Sequence, residues 1–322
     1  MSTPEAAPRA SARRWMLPLA SAVVGVAVLA YLLRPYATEI RDAAQDTSLG
    51  TLALLAGLSL LALALRTEMW RVALRAASGQ TLPRRELHCA NGGTFLVSLV
   101  NGYVAPIVKI WLLRRMRGRD ARIAQLVVVD FAAGFLEILV AAGLIIVAAF
   151  AVDLPWWIPT VLTVGALAVL LAMVLTHRRW EHHPAVQGLN VVMHSYHRYR
   201  LLVLLAGVFG FQILRTWIAL DAVGLDASLG AATLIFVLTG ALGALPTGLA
   251  AAPTTSSVLV LGRDSVGAAA ASGVLVTVAL FAATILYTVA TAGWYLLHRR
   301  ATPRPAAVAP PDSSRPRPAS GP

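Results

Sequence analysis

Charge is what this chain has least of. Only 13% of its 322 residues are Asp, Glu, Lys or Arg, about half the share in an ordinary soluble domain. A soluble fold of this length needs a polar surface, and the sequence does not supply one. Lysine occurs once, as Lys109, and cysteine once, as Cys89. A lone cysteine excludes an internal disulfide, and within an apolar stretch it reads as a small buried residue. Also missing are His-Glu-x-x-His, Gly-x-Ser-x-Gly and a glycine-rich phosphate loop ending in Lys-Ser/Thr, so the corresponding zinc, serine and nucleotide chemistries have no motif here. His177, His182, His183, His194 and His197 match no metal-ligand spacing, and a solvated basic loop is the simpler reading. Glu39, Asp42 and Asp46 resemble the acidic residues that some lipid-linked glycosyltransferases carry after a first span, but an amphipathic surface turn explains them more simply. The expectation is a protein that is not an enzyme and uses no cofactor or metal.

What the chain has in abundance is apolar sequence: 58% of its residues are hydrophobic. Several runs reach the ~20 residues that cross a bilayer. The expected spans are Trp15–Leu33, Leu49–Leu65, Ile123–Phe150, Trp156–Leu175, Leu201–Leu220 and Gly267–Leu297. The first follows Arg9, Arg13 and Arg14 but lacks a clear cleavage site, and reads as a retained helix. Residues 1–14 form a basic tail, 15–298 the transmembrane domain, and 299–322 a tail rich in Pro, Arg and Ala that reads as disordered. The net charge of +12 sits mostly in short loops beside apolar runs. It therefore reports membrane orientation and does not point to nucleic acid.

Two further apolar stretches are interrupted at matching places. One, Leu87–Leu113, breaks at Asn101-Gly102-Tyr103-Val104-Ala105-Pro106. The other, Leu229–Leu261, breaks between Gly240 and Pro253, through Leu245-Pro246-Thr247-Gly248. Paired breaks of this kind point to a transporter-type site at mid-membrane, because broken helices survive in hydrocarbon only when protein or a wet cavity covers them. From Leu87 to Val100 is about 21 Å of helix, short of the ~30 Å core. If both stretches dip in and return, every strongly basic loop falls on the cytoplasmic side. The second half then repeats the first upside down, with Pro106 and Pro246 in corresponding places, as are Trp70 and Trp217. The expected fold is thus all-α: a polytopic membrane helix bundle of six full spans plus two re-entrant hairpins as inverted repeats. The competing arrangement is eight hydrophobic segments that all cross.

Asp130 and Glu137 lie seven residues apart in one span, hence on one face. Acidic groups at membrane depth are costly and mark a pathway or an ion pair. Arg215, with Gln212 nearby, is the expected partner, and Lys109 a second. A pair that only fixes packing is the alternative. Thr254 and Thr255, with Ser256 and Ser257, follow Pro253 where a half-helix begins; their hydroxyls could cap it or meet a headgroup drawn to its positive end. The candidate substrate-binding set is Asn101, Pro106, Lys109, Asp130, Glu137, Arg215, Pro246, Gly248, Thr254 and Thr255.

Four segments carry a resemblance: Met69-Trp70-Arg71-Val72-Ala73-Leu74-Arg75, Asn101 to Pro106 with the basic segment after it, Asp130 to Glu137, and Leu245 to Gly248. Together they resemble the lysylphosphatidylglycerol synthase transmembrane-region family of flippase-like membrane proteins. Ile107, Val108 and Lys109 stand where that family often has glycine and an acidic residue. The resemblance implies movement of a lipid or lipid-linked molecule between leaflets, without aminoacyl transfer. The expected function is a carrier or flippase for an amphipathic anionic lipid in the cell inner (plasma) membrane, multi-pass, with both termini cytoplasmic and membrane lipids as partners. The alternative is a non-transporting membrane scaffold or accessory subunit of a cell-envelope enzyme.

Overall fold

The computed structural model describes residues 30–78, 82–99, 104–117, 123–152, 198–243, 251–262 and 266–301, with scattered positions at 27–28 and between 160 and 175. Most of Trp15–Leu33, much of Trp156–Leu175, the histidine-bearing loop and both tails therefore lie outside the described residues. Those described form helices and no strands. After a single 3-10 turn at Arg34–Tyr36 come α1 (Ala37–Asp46), α2 (Leu49–Ser78), α3 (Arg84–Ser98), α4 (Ala105–Arg117), α5 (Ile123–Ala149), α6 (Arg198–Asp221), α7 (Leu229–Gly243), α8 (Ala252–Leu261) and α9 (Val266–Ala301).

Among the described residues three segments are long and apolar enough to cross a membrane: Leu49–Ala76 of α2, Arg198–Asp221 of α6 and Val266–His298 of α9. Bulky apolar side chains such as Leu54, Leu61, Val203, Ile285 and Val289 point outward from them. Water would not tolerate so much exposed apolar surface, and the arrangement is consistent with a membrane protein. The α2 helix corrects one boundary. It does not stop at Leu65 but continues to Ser78 as a 30-residue helix, because residues 66–78 contain neither glycine nor proline and are mostly good helix formers. Arg66, Glu68, Trp70 and Arg71 are thereby carried on a rigid rod instead of a loop.

The interrupted stretches each give two short helices. α3 and α4 have 15 and 13 residues, and α7 and α8 have 15 and 10, which is about 15–23 Å of helix each. Within each pair the two helices pack on one another. The packing also has a reciprocal pattern. α2 lies against α5 as α6 lies against α9; α3 rests on α9 as α7 rests on α5; α4 touches α5 as α8 touches α9; and α2 and α6 pack together. Exchanging α2–α5 with α6–α9 maps these contacts onto themselves. The additional contact of α2 with α9 has no counterpart of similar extent among the described residues.

Small residues let the short helices approach α9. A Cβ on Gly92 of α3 would lie 2.8 Å from Thr291 Oγ1 and 3.2 Å from Thr288 Cα, and Thr288 Oγ1 donates to the Gly92 carbonyl at 2.9 Å. A Cβ on Gly273 of α9 would overlap the backbone of Thr254 in α8. Close backbone approach through small residues is how helices gain packing energy where lipid removes the hydrophobic drive. A polar cluster adds a second fastening. Glu68 on α2 accepts from Arg71 and pairs with Arg84 and His88 of α3. The other ring nitrogen of His88 meets the Tyr287 hydroxyl of α9 at 2.7 Å, and that hydroxyl meets Thr67 Oγ1 at 2.9 Å. α2, α3 and α9 are thus bound together beside the site.

Candidate functional site

Side chains from α2 through α9 surround one cavity of about 490 Å³, a size suited to a small molecule or a lipid headgroup. Three helices face it with residues at i, i+3, i+4 and i+7, the spacing of one helix face. On α5 these are Asp130, Ala133, Gly134 and Glu137; on α3, Asn91, Thr94, Phe95 and Ser98; on α7, Phe236, Thr239, Gly240 and Gly243. α2 contributes Arg66, Met69 and Trp70, α4 contributes Ala105, Pro106 and Lys109, and α6 contributes Gln212 and Arg215. Pro253 and Leu280 complete the wall.

Two ion pairs occupy this space. Glu137 holds Arg66 through both carboxylate oxygens, with Arg66 Nε donating at 3.0 Å and Nη2 making the second bond. This fork-to-fork geometry is the strong form of an arginine–carboxylate pair. Lys109 Nζ donates to Asp130 Oδ1, the same oxygen that accepts from Trp70 Nε1 at 2.7 Å. The ammonium also lies 4.7 Å from the centre of the Trp70 ring, where the π face attracts it. The Lys109 and Asp130 side chains are only 12% and 21% exposed.

Arg215 stands apart. The sequence reading paired it with Asp130 and Glu137, and that pairing does not form. The extended α2 delivers Arg66 to Glu137, and α4 delivers Lys109 to Asp130. Arg215, 4% exposed, instead donates from Nη1 to Ser59 Oγ at 3.1 Å, while its Nε has no hydrogen-bond partner. Asn91, 2% exposed, likewise has an unpartnered Oδ1.

Of the ten residues expected to form a site, Pro106, Lys109, Asp130, Glu137 and Arg215 line the cavity. Asn101, Pro246 and Gly248 lie outside the described residues. Thr254 and Thr255 serve α8 instead. Thr254 is buried behind Pro253 against Gly273, and Thr255 Oγ1 donates back to the Ala251 carbonyl at 3.0 Å. Neither caps the helix, whose N-cap is Ala251 without a side-chain bond. Ser256 and Ser257 also turn inward, to the carbonyls of Ala252 and Pro253. Sequence reasoning missed Arg66 and Asn91. The signal for Asn91 was present: Asn91, Thr94 and Ser98 form a polar stripe at helical spacing on a stretch otherwise read only for its break.

Among the described residues no group of three or more His, Cys, Asp or Glu side chains is placed to hold a metal ion. No protein-family model, curated protein or solved structure matches this chain.

Proposed function

We propose that this protein is a flippase-like membrane carrier for an amphipathic anionic lipid or lipid-linked molecule. In this reading α3–α4 and α7–α8 are re-entrant hairpins that enter from opposite faces of the plasma membrane, and both termini are cytoplasmic. The observation that carries it is a cavity of about 490 Å³ holding three cationic and two anionic side chains inside a bundle whose outer surface is apolar. Charged groups at membrane depth are retained where they serve a pathway. The short helices support the hairpins, since none approaches the ~30 Å needed to cross. The reciprocal packing of α2–α5 and α6–α9 supports inverted repeats. Four residues of the segments that carry the resemblance to the lysylphosphatidylglycerol synthase transmembrane-region family, Trp70, Pro106, Asp130 and Glu137, line this cavity.

One observation favours the second reading, a non-transporting scaffold for a cell-envelope enzyme: both carboxylates in the cavity are already satisfied by internal cations, as a packing role would require. Reconstitution discriminates. Purified protein in vesicles with headgroup-labelled anionic lipids should accelerate leaflet exchange over protein-free vesicles, and Asp130→Asn should remove most of the acceleration. Equal exchange with and without protein across a broad lipid panel leaves the scaffold.

A further inference from the structure

The charges of the cavity do not cancel. Arg66 is held by Glu137 and Lys109 by Asp130, so two of the three cations described in the cavity, including one that the sequence assigned to a ligand, are already paired. Arg215 has no carboxylate within ion-pair distance among the described residues, and it is 4% exposed. Leaving a buried guanidinium uncompensated is costly. Among the described residues of the cavity three cations face two carboxylates, and the surplus is one positive charge.

The groups around Arg215 define what would complete it. Ser59 donates its hydroxyl proton to the Leu55 carbonyl at 2.9 Å, so its oxygen can only accept, as it does from Arg215 Nη1. The Nε–H of Arg215 remains a free donor and Asn91 Oδ1 a free acceptor, both buried and both on side chains that line the same cavity. Buried polar atoms without partners are rare, and each asks for a cause. An anionic oxygen satisfies the guanidinium fork, and a hydroxyl or amine proton on the same molecule satisfies Asn91. We propose that Arg215, Asn91 and Ser59 form a subsite for a singly charged anionic group that also carries a hydrogen-bond donor, such as a phosphate diester bearing a hydroxyl. The subsite rests on the carrier reading for its access to lipid. The same chemistry is present in a lipid headgroup and in a free, water-soluble diester. A phosphate monoester, with a second charge above pH ~6, would find no second free cation among the described residues of the cavity.

Thermal unfolding of the purified full chain in a neutral detergent tests this. Four probes are compared: short-chain phosphatidylglycerol, phosphatidylmethanol, phosphatidylcholine and the soluble headgroup diester glycerophosphoglycerol. Phosphatidylglycerol should raise the midpoint by about 5 °C at a hundredfold excess over its dissociation constant. Phosphatidylmethanol, which lacks the donor, should raise it less, and phosphatidylcholine should not raise it. A response to glycerophosphoglycerol alone identifies the free diester as ligand; a response to phosphatidylglycerol alone identifies the lipid. Arg215→Met should melt higher than the wild type without ligand and lose every anion response. Ser59→Asp keeps the arginine but supplies an internal counter-ion beside Nη1, and should lose the response too. Equal shifts from phosphatidylglycerol and phosphatidylcholine, or an anion response that survives in both variants, overturn the subsite. Selective binding without leaflet exchange in vesicles overturns the carrier and leaves the subsite standing.

Discussion

Asp130 carries more than its own pair. Its Oδ1 accepts from Lys109 and from Trp70, so one carboxylate oxygen joins α2, α4 and α5. Asp130→Asn leaves the Lys109 ammonium buried with no full countercharge, which costs about 3–5 kcal/mol. Adding Lys109→Met to that variant should recover most of the loss, because an apolar side chain of similar length leaves no orphan charge. Denaturant or thermal unfolding of the single and double variants measures the coupling, and equal stability of the two would refute it. The seven-residue spacing of Asp130 and Glu137 made their common face legible in the sequence. Their partners were not legible, because an acid on one helix can meet a base on any neighbour. The choice was made by where α2 stops, and Arg66 lies one residue past the apparent end of an apolar run. The hydroxyls after Pro253 were misread for a related reason: Ser and Thr inside a helix can return their proton to the carbonyl four residues back, and here they do.

Helix contacts decide the cost of a single methyl group. Gly273 lets α9 meet the Thr254 backbone of α8, whereas a Cβ on Gly143 in α5 would meet nothing within 4 Å. Gly143→Ala should therefore stabilise the protein by up to about 1 kcal/mol through helix propensity. Gly273→Ala, the same change in composition, should destabilise it by about 1–3 kcal/mol through overpacking. A thermal melt of each in detergent reads the sign directly, and the idea fails if both shift the midpoint the same way. The long helices α5, α6 and α9 agree with the apolar runs to within a few residues, since a long apolar run leaves few alternatives to a helix. The short helices flank the expected breaks as well. Their neighbours were beyond reach of the sequence: the glycines that select α9 as the surface for both α3 and α8 are indistinguishable, in one dimension, from the other glycines of the chain.

The whole molecule makes its own prediction through orientation. If both hairpins return to the face they entered, cysteines introduced at positions 117 and 304, with Cys89 replaced by Ala, should both react with a membrane-impermeant maleimide only after the cytoplasmic side is opened. Labelling of position 117 from the outside would instead require α3 and α4 to cross in full. The reciprocal packing also bears on assembly. The Gly92 carbonyl receives its bond from a hydroxyl 196 residues later in the chain. At a synthesis rate of about 5–20 residues per second, α3 waits about 10–40 seconds for the surface it will rest on. During that interval its stripe of Asn91, Thr94 and Ser98 lies on a helix that has no α9 to rest on. A newly made chain thus passes through a stage in which half a pocket is open to lipid, and a translocase or chaperone that shields polar helices at birth would govern how much of this protein reaches its finished form.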